Sequence, residues 1–147
     1  MKVRISGPPH RRLLRAPDLR LLRRRTRSLL TWLEQEDSEL SITLLDDPEM
    51  AELNESYRSR PGPTDVLSFS LREGRHARHR RELLGDVVIG VRRAAHQAGR
   101  RRRGLDDEVA RLLVHGVLHL LGLDHEREAE AREMRSLERR LWRVLEL

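Results

Sequence analysis

From Leu112 to Leu121 the chain reads LLVHGVLHLL, apolar on nearly every side of a helix apart from Gly116 and two histidines. A helix of that kind cannot lie on a surface, so it must be the buried central helix of the domain that forms around it. Asp106, Asp107 and Glu108 fall in its first turn, where acids complement the positive end of the helix dipole. Gly122 is where it should stop, since glycine is the usual residue just past a helix end.

His115 and His119 are four residues apart, so on this helix they lie one above the other and can aim two imidazoles at one atom. A break at Gly122 lets His125 come back towards the same point from another backbone direction. Three neutral imidazoles around a zinc-like ion leave a fourth position open, which is the arrangement of catalytic sites. Structural zinc sites close all four positions and usually employ cysteine, which this chain lacks. The competing explanation is three histidines each satisfied by hydrogen bonds. Every neutral imidazole has two polar nitrogens to satisfy, and three of them in so short an apolar stretch without a shared partner is costly. The spacing therefore predicts metal ligands at His115, His119 and His125. Three imidazoles accept zinc, nickel, copper or iron, with availability deciding among them; zinc is the expectation and nickel the alternative.

The same spacing, H-x-x-x-H-x-x-G-x-x-H, resembles that of the metzincin proteases with one departure. Those enzymes carry Glu after the first histidine as general base, and this chain has Gly116, which has no side chain to take a proton. A zincin-like metallopeptidase built on these residues would lack its base, which makes it the weakest enzyme reading.

A chain of 147 residues is long enough for one ordinary domain, residues 1–147, and has no cysteine for disulfides or thiol chemistry. No apolar leader and no run of about 18 apolar residues is present, so export and membrane insertion are not expected and a cytoplasmic setting is. The charge is blocky. Residues 1–30 hold ten Lys/Arg against one acid and residues 71–104 hold eleven against three, whereas 31–70 and 105–147 are net acidic. Nearly all the cations are arginine, whose forked donors suit phosphate, so nucleic acid is a natural partner; the alternative is arginine on solvated faces.

Short strands and helices alternate along the chain. Lys2–Ser6 alternates weakly and suits an edge strand. Leu19, Leu22, Thr26, Leu29, Leu30 and Leu33 recur at helical spacing and predict a helix from Pro17 that ends near Asp37. Leu40–Asp46 reads as a strand, and Pro48 opens a short helix through Met50 and Leu53. Thr64–Ser70 and Leu83–Gly90 are the strongest strand candidates, as a long-looped hairpin or as a parallel pair. VRRAAHQAG predicts a helix followed by a basic connector. The last helix, roughly Glu126–Leu145, carries Met134, Leu137, Leu141 and Val144 on one face and can lie over the core.

HGVLHLLGLDH, residues 115–125, is also similar to the signature of the YbeY family of bacterial endoribonucleases, and two further stretches extend the resemblance. LNESYRSRPGPTDVLSFS, residues 53–70, resembles the family's Leu-Asn, Arg and Pro-Thr-(Asp/Asn)-Val-Leu-Ser-Phe series. LLGDVVIG, residues 83–90, resembles its Leu-Gly-Asp-(Ile/Leu)-Val-Ile. Two positions depart: Arg60 and Pro61 stand where the family commonly has Lys-Asp, and Ser70 stands where proline usually follows Ser-Phe. The resemblance implies an α+β domain with a small mixed four-stranded sheet, about five helices and a zincin-like metal helix. It implies a metal-dependent, single-strand-specific endoribonuclease in maturation of the 3′ end of 16S rRNA and in ribosome quality control. Its partners would be single-stranded RNA and the small ribosomal subunit or its proteins. Carried onto this chain, the metal ligands are His115, His119 and His125, and the catalytic arginine is Arg58, a bidentate donor for phosphate. Arg60, Thr64, Asp65, Asp86 and Asp124 are candidates for RNA contact or for supporting the ligands; an Asp beside a glycine turn more often orients a histidine than takes a proton. The other class of reading is an RNA- or ribosome-docking assembly factor whose metal is structural.

Overall fold

The strict alternation of Leu40, Ile42 and Leu44 appears as a strand whose odd and even residues face different sides of a sheet. The computed structural model describes residues 1–7, 16–58, 65–70, 83–123 and 127–147, with the side chains of 57, 58 and 83 left aside. In chain order the elements are β1 (Lys2–Ser6), α1 (Leu19–Trp32), β2 (Glu39–Leu45), α2 (Asp47–Arg58), β3 (Val66–Ser70), β4 (Leu83–Gly90), α3 (Val91–Arg101), α4 (Leu105–Leu120) and α5 (Glu128–Val144). The strands form one mixed sheet in the order β1-β2-β4-β3. β1 and β4 both run parallel to β2, and β3 runs antiparallel to β4, from Val66 opposite Ile89 to Ser70 opposite Gly85. This is the α+β class with a small mixed sheet and five described helices. β1 lies at an edge as its weak alternation suggested, and the two strongest strand candidates are antiparallel neighbours.

One face of the sheet carries the main core. Leu40, Ile42 and Leu44 of β2 meet Leu84, Val87 and Ile89 of β4 beneath Leu29 and Leu30 of α1 and Leu113, Val117 and Leu118 of α4. Leu84 shares a face with Val87 and Ile89 because the register slips by one residue at the start of β4: Glu39 opposes Leu83 and Leu40 opposes Gly85. Met50 of α2 covers the other face over Leu67 and Val88. Each fully buried leucine contributes about 1.5–3 kcal/mol through its removal from water, and α4 supplies the densest row of them, as a central helix should.

α1 begins at Asp18, whose carboxylate accepts from the backbone N–H groups of Arg20 and Leu21. It ends at Trp32 and not near Asp37. Glu34 takes a left-handed conformation, Gln35 N–H donates to Leu30 C=O at 2.8 Å and Glu34 N–H to Thr31 C=O at 3.1 Å, closing the helix. α4 closes the same way at the expected glycine: Gly122 has φ 93°, and Leu123 N–H donates to Leu118 C=O at 3.0 Å. On α5, Met134 and Leu141 are buried, but Val144 is 39% exposed and so does not share their core-facing role. Among the described residues no helix is long and apolar enough to cross a membrane.

Several charges serve the fold itself. Asp106 Oδ1 accepts from Asp18 N–H at 2.7 Å, Arg25 pairs with Asp107 at 2.9 Å, and fully buried Glu108 accepts from Arg101 and Arg103 at 3.0 and 3.4 Å. The acids opening α4 therefore tie α1 and the end of α3 to the central helix besides complementing its dipole. Part of the basic connector is folded back onto a buried carboxylate, whereas Arg20, Arg24 and Arg27 of α1 remain exposed.

α4 approaches the sheet most closely at Gly116. A Cβ there would lie 2.8 Å from Val87 Cγ1 and 3.0 Å from Ser68 Oγ, and Ser68 Oγ–H already donates to Gly116 C=O at 3.0 Å. Glycine inside a helix costs about 1 kcal/mol against alanine, so the close packing outweighs propensity at this position. A Cβ at Gly99 of α3 would meet no atom of the described residues within 4 Å. Two opposite outcomes follow. Gly116→Ala should lower stability by about 1 kcal/mol or more through overpacking, and Gly99→Ala should raise it by about 0.5–1 kcal/mol. Urea unfolding of the two variants measures both; stabilisation by Gly116→Ala would contradict the packing.

Candidate metal and RNA site

Glu108, Arg111, His115 and His119 are spaced by three, four and four residues, so they form one polar stripe along the otherwise apolar α4. Glu108, Arg111 and His115 of the stripe face α5 and, at Asp65 and Val66, the start of β3, across a cleft of about 290 Å³, and His119 lies one turn beyond. A larger groove of about 610 Å³ runs along the arginine face of α1, and no histidine is among the described residues that line it.

The two imidazoles converge. His119 Nε2 lies 3.0 Å from His115 Nε2, with the ring planes at 72°. His115 Nδ1 lies 2.6 Å from Glu138 Oε1 on α5. With Glu138 ionised, Nδ1–H donates to it, which leaves the lone pair of His115 on Nε2, towards His119. Two nitrogens bound to one zinc-like ion at 2.0–2.1 Å in tetrahedral geometry stand about 3.3 Å apart, so the pair fits a shared ion with a small outward adjustment. The negative end of the α4 dipole lies next to His119 and favours a cation there. A carboxylate behind a ligating histidine is the usual means of fixing its tautomer and raising its basicity. Two imidazoles are what the described residues supply; no cluster of three metal-ligating side chains occurs among them.

The expected site residues are placed as follows. His115 and His119 are brought together, and the turn at Gly122 redirects the chain after them. His125, Asp124, Arg60 and Thr64 lie outside the described residues, and Arg58 is the last residue of α2, its side chain outside them as well. Asp65 borders the same cleft as His115 and accepts from Gln97 Nε2 at 3.2 Å. Asp86 is half-buried on β4 opposite Phe69 and is not among the described residues bordering the cleft.

Three residues of the cleft escape a reading by motif: Glu138, Arg111 and Trp142. Glu138 is the legible one in retrospect, because it falls four residues after Met134 and three before Leu141, a charged residue in the apolar phase of α5. Arg111 stacks over Trp142, with Cζ 4.4 Å from the ring centroid. Burial, and after it the nearby charge of Arg103, hold the Arg111 guanidinium below its ordinary pKa range.

A family model described as endoribonuclease YbeY matches residues 19–146. The endoribonuclease YbeY of Geobacter metallireducens is 37% identical over 148 residues, covering 99% of this chain and 97% of that protein. The one from an Anaeromyxobacter species is 43% identical over 144 residues, 98% of this chain and 72% of that protein. The one from Syntrophus aciditrophicus is 42% identical over 109 residues, 74% and 68% respectively. A Thermotoga maritima protein solved in solution superposes with a TM-score of 0.66 at 24% identity, over 97% of this chain and 88% of that one, and shares the fold.

Removing the charge behind His115 while keeping its shape isolates the part played by Glu138. Glu138→Gln should weaken zinc binding by about 10- to 100-fold with little change in urea stability. Calorimetric zinc titration of both proteins checks this, and equal affinities would deny Glu138 that role.

Proposed function

The chain belongs to the YbeY endoribonuclease family, and on that premise we propose that it is a metal-dependent endoribonuclease that cuts single-stranded ribosomal RNA at the small-subunit 3′ end. The observation that carries the reading is the convergence of His119 on His115, with Glu138 behind His115, beside a cleft that His115 and Glu138 border. His115, His119 and, from its spacing, His125 would hold the ion, zinc by preference and nickel as the alternative. When bound, such an ion supplies Lewis acidity to a phosphodiester oxygen or acidifies a water.

The chain's own residues account for the rest. Glu138, 2.6 Å from Nδ1 of His115, would fix the tautomer that leaves Nε2 as the ligating nitrogen. Arg58, onto which the family's arginine falls by resemblance, would neutralise charge developing on the scissile phosphate with its bidentate fork. Gly116 bears on the reaction class: its α-carbon lies against Val87 and Ser68, so the position that holds the base in a metzincin faces the sheet and has no room for a side chain. That packing favours phosphoryl over peptide chemistry for this helix. A nuclease can instead draw its nucleophile from the ribose 2′-hydroxyl or from water. A cleft of about 290 Å³ beside the histidines suits an unpaired strand, since duplex RNA holds its backbone in A-form geometry. Exposed arginines such as Arg20, Arg24 and Arg27 suit RNA beyond the cleft, which makes affinity electrostatic and salt-sensitive. Maturing small subunits, with their proteins, are the expected cytoplasmic setting.

The test is cleavage of a short labelled RNA, single-stranded and as a duplex, before and after chelation, with His119→Ala alongside. The single strand alone should be cut, and chelation or His119→Ala should reduce the rate on the order of 100-fold or more. Arg58→Ala should cost about 10²–10³-fold in kcat. Equal cutting by wild type and His119→Ala would overturn the nuclease reading in favour of a docking factor with a structural metal.

A further inference from the structure

The cleft beside His115 is unbalanced in its hydrogen bonding. Three carboxylates border it, and each already has a donor. Gln97 Nε2 lies 3.2 Å from Asp65, Arg101 and Arg103 lie 3.0 and 3.4 Å from the two oxygens of Glu108, and His115 Nδ1 lies 2.6 Å from Glu138. What is left over and buried among the described residues of this cleft is donors. Arg111 Nε and Trp142 Nε1 are both buried and have no hydrogen-bond partner. Buried donors are rarely left that way, and when they are the group commonly awaits an ion, a water or a ligand.

A purely structural role explains the stacking of Arg111 on Trp142 but not the spare N–H groups. The ring face answers the guanidinium's charge and accepts neither Nε–H nor the indole N–H. The stack holds both donors on two packed, planar groups, which limits the rotamer freedom lost on binding. Arg111 sits one helical turn before His115, a separation comparable with that of consecutive phosphates in an extended strand. At the Arg111 guanidinium, burial and the charges of Arg103 and Arg101 together outweigh those of Glu108 and Asp107, so an added anion is favoured there.

We infer that Arg111 and Trp142 form a phosphate subsite, in which Arg111 and the indole N–H of Trp142 bind the phosphodiester next to the one presented to the histidines. The occupant's being part of an RNA strand rests on the endoribonuclease reading; the anion chemistry does not. A phosphodiester offers only acceptors, matching the two buried unpartnered atoms of the cleft, which are both donors. Such a subsite positions the strand without reading bases, so it acts on binding more than on the chemical step.

Trp32 and Trp142 are the two tryptophans of the chain, and Trp32 is not among the cleft residues, so Trp32→Phe leaves Trp142 as the sole indole reporter. Uridine 3′-monophosphate titrated into this full-length protein should change Trp142 fluorescence saturably, and uridine should not. Adding Arg111→Gln should weaken the monophosphate by about 10-fold or more. In RNA cleavage, Trp142→Phe, which keeps a ring and loses the N–H, should raise KM several-fold with kcat nearly unchanged. Equal responses to uridine and its monophosphate, or none to either, would overturn the subsite. So would unchanged affinity in Arg111→Gln, the result expected if the phosphate sat on an ion at the histidines. If Arg111→Gln loses its cooperative urea transition, the KM-against-kcat split of Trp142→Phe decides, and an unchanged KM there overturns the proposal. A wild-type protein that binds the monophosphate through Arg111 but cuts no RNA would uphold the anion subsite and reject the nuclease reading.

Discussion

The approach of α4 to the sheet at Gly116 is the contact on which the remaining arrangement depends. With Val87 and Ser68 against the α-carbon, the rotation of the helix about its axis is set to within the tolerance of a methyl group. Once one side of α4 is committed to β3 and β4, the stripe of Glu108, Arg111, His115 and His119 has to emerge on another. The apolar residues around the stripe hold the helix in the core, and the stripe provides the wall of a cleft. A single residue without a side chain thus sets both the depth of the helix and the direction of its histidines.

The other wall comes from α5. Met134 and Leu141 fasten that helix to the core, and between them Glu138 meets His115 while Trp142 meets Arg111. The cleft is therefore made of two helices registered against each other by apolar contacts, with polar partners facing in pairs. Rigid elements of this kind hold a catalytic constellation better than loops do, because side-chain rotamers are locked by packing on both sides.

Arginine abundance is a poorer guide to the partner than arginine placement. Arg25, Arg101 and Arg103 are engaged by Asp107 and Glu108, and Arg92 forms a two-point pair with Asp46 at 2.7 and 3.1 Å. Buried Glu108 requires such cations, since an unpaired carboxylate in the core is strongly unfavourable. The basic blocks of the chain are thus divided between internal anchors and exposed donors, a division that no count of charges could make.

Much of this protein was legible without coordinates, because it depends on local periodicity. The buried character of α4, the same-face pairing of His115 and His119, the stop at Gly122 and the strand alternation of Leu40, Ile42 and Leu44 all follow from neighbours within a turn or two of chain. The early end of α1 was less legible, since Glu34 adopts a left-handed conformation that favours glycine and its sequence gives no warning. Only the tertiary structure decided which way β3 and β4 run, that a register slip turns Leu84 inward, and that Val144 faces outward. It alone brought Glu138 to His115 and Trp142 to Arg111, 23 residues away in one pair and on separate helices in both. The physical reason is that local propensity depends on backbone geometry shared by near neighbours. The partners of a polar side chain are chosen by how the apolar faces of distant elements close upon one another, and those faces are set only when the whole core is assembled.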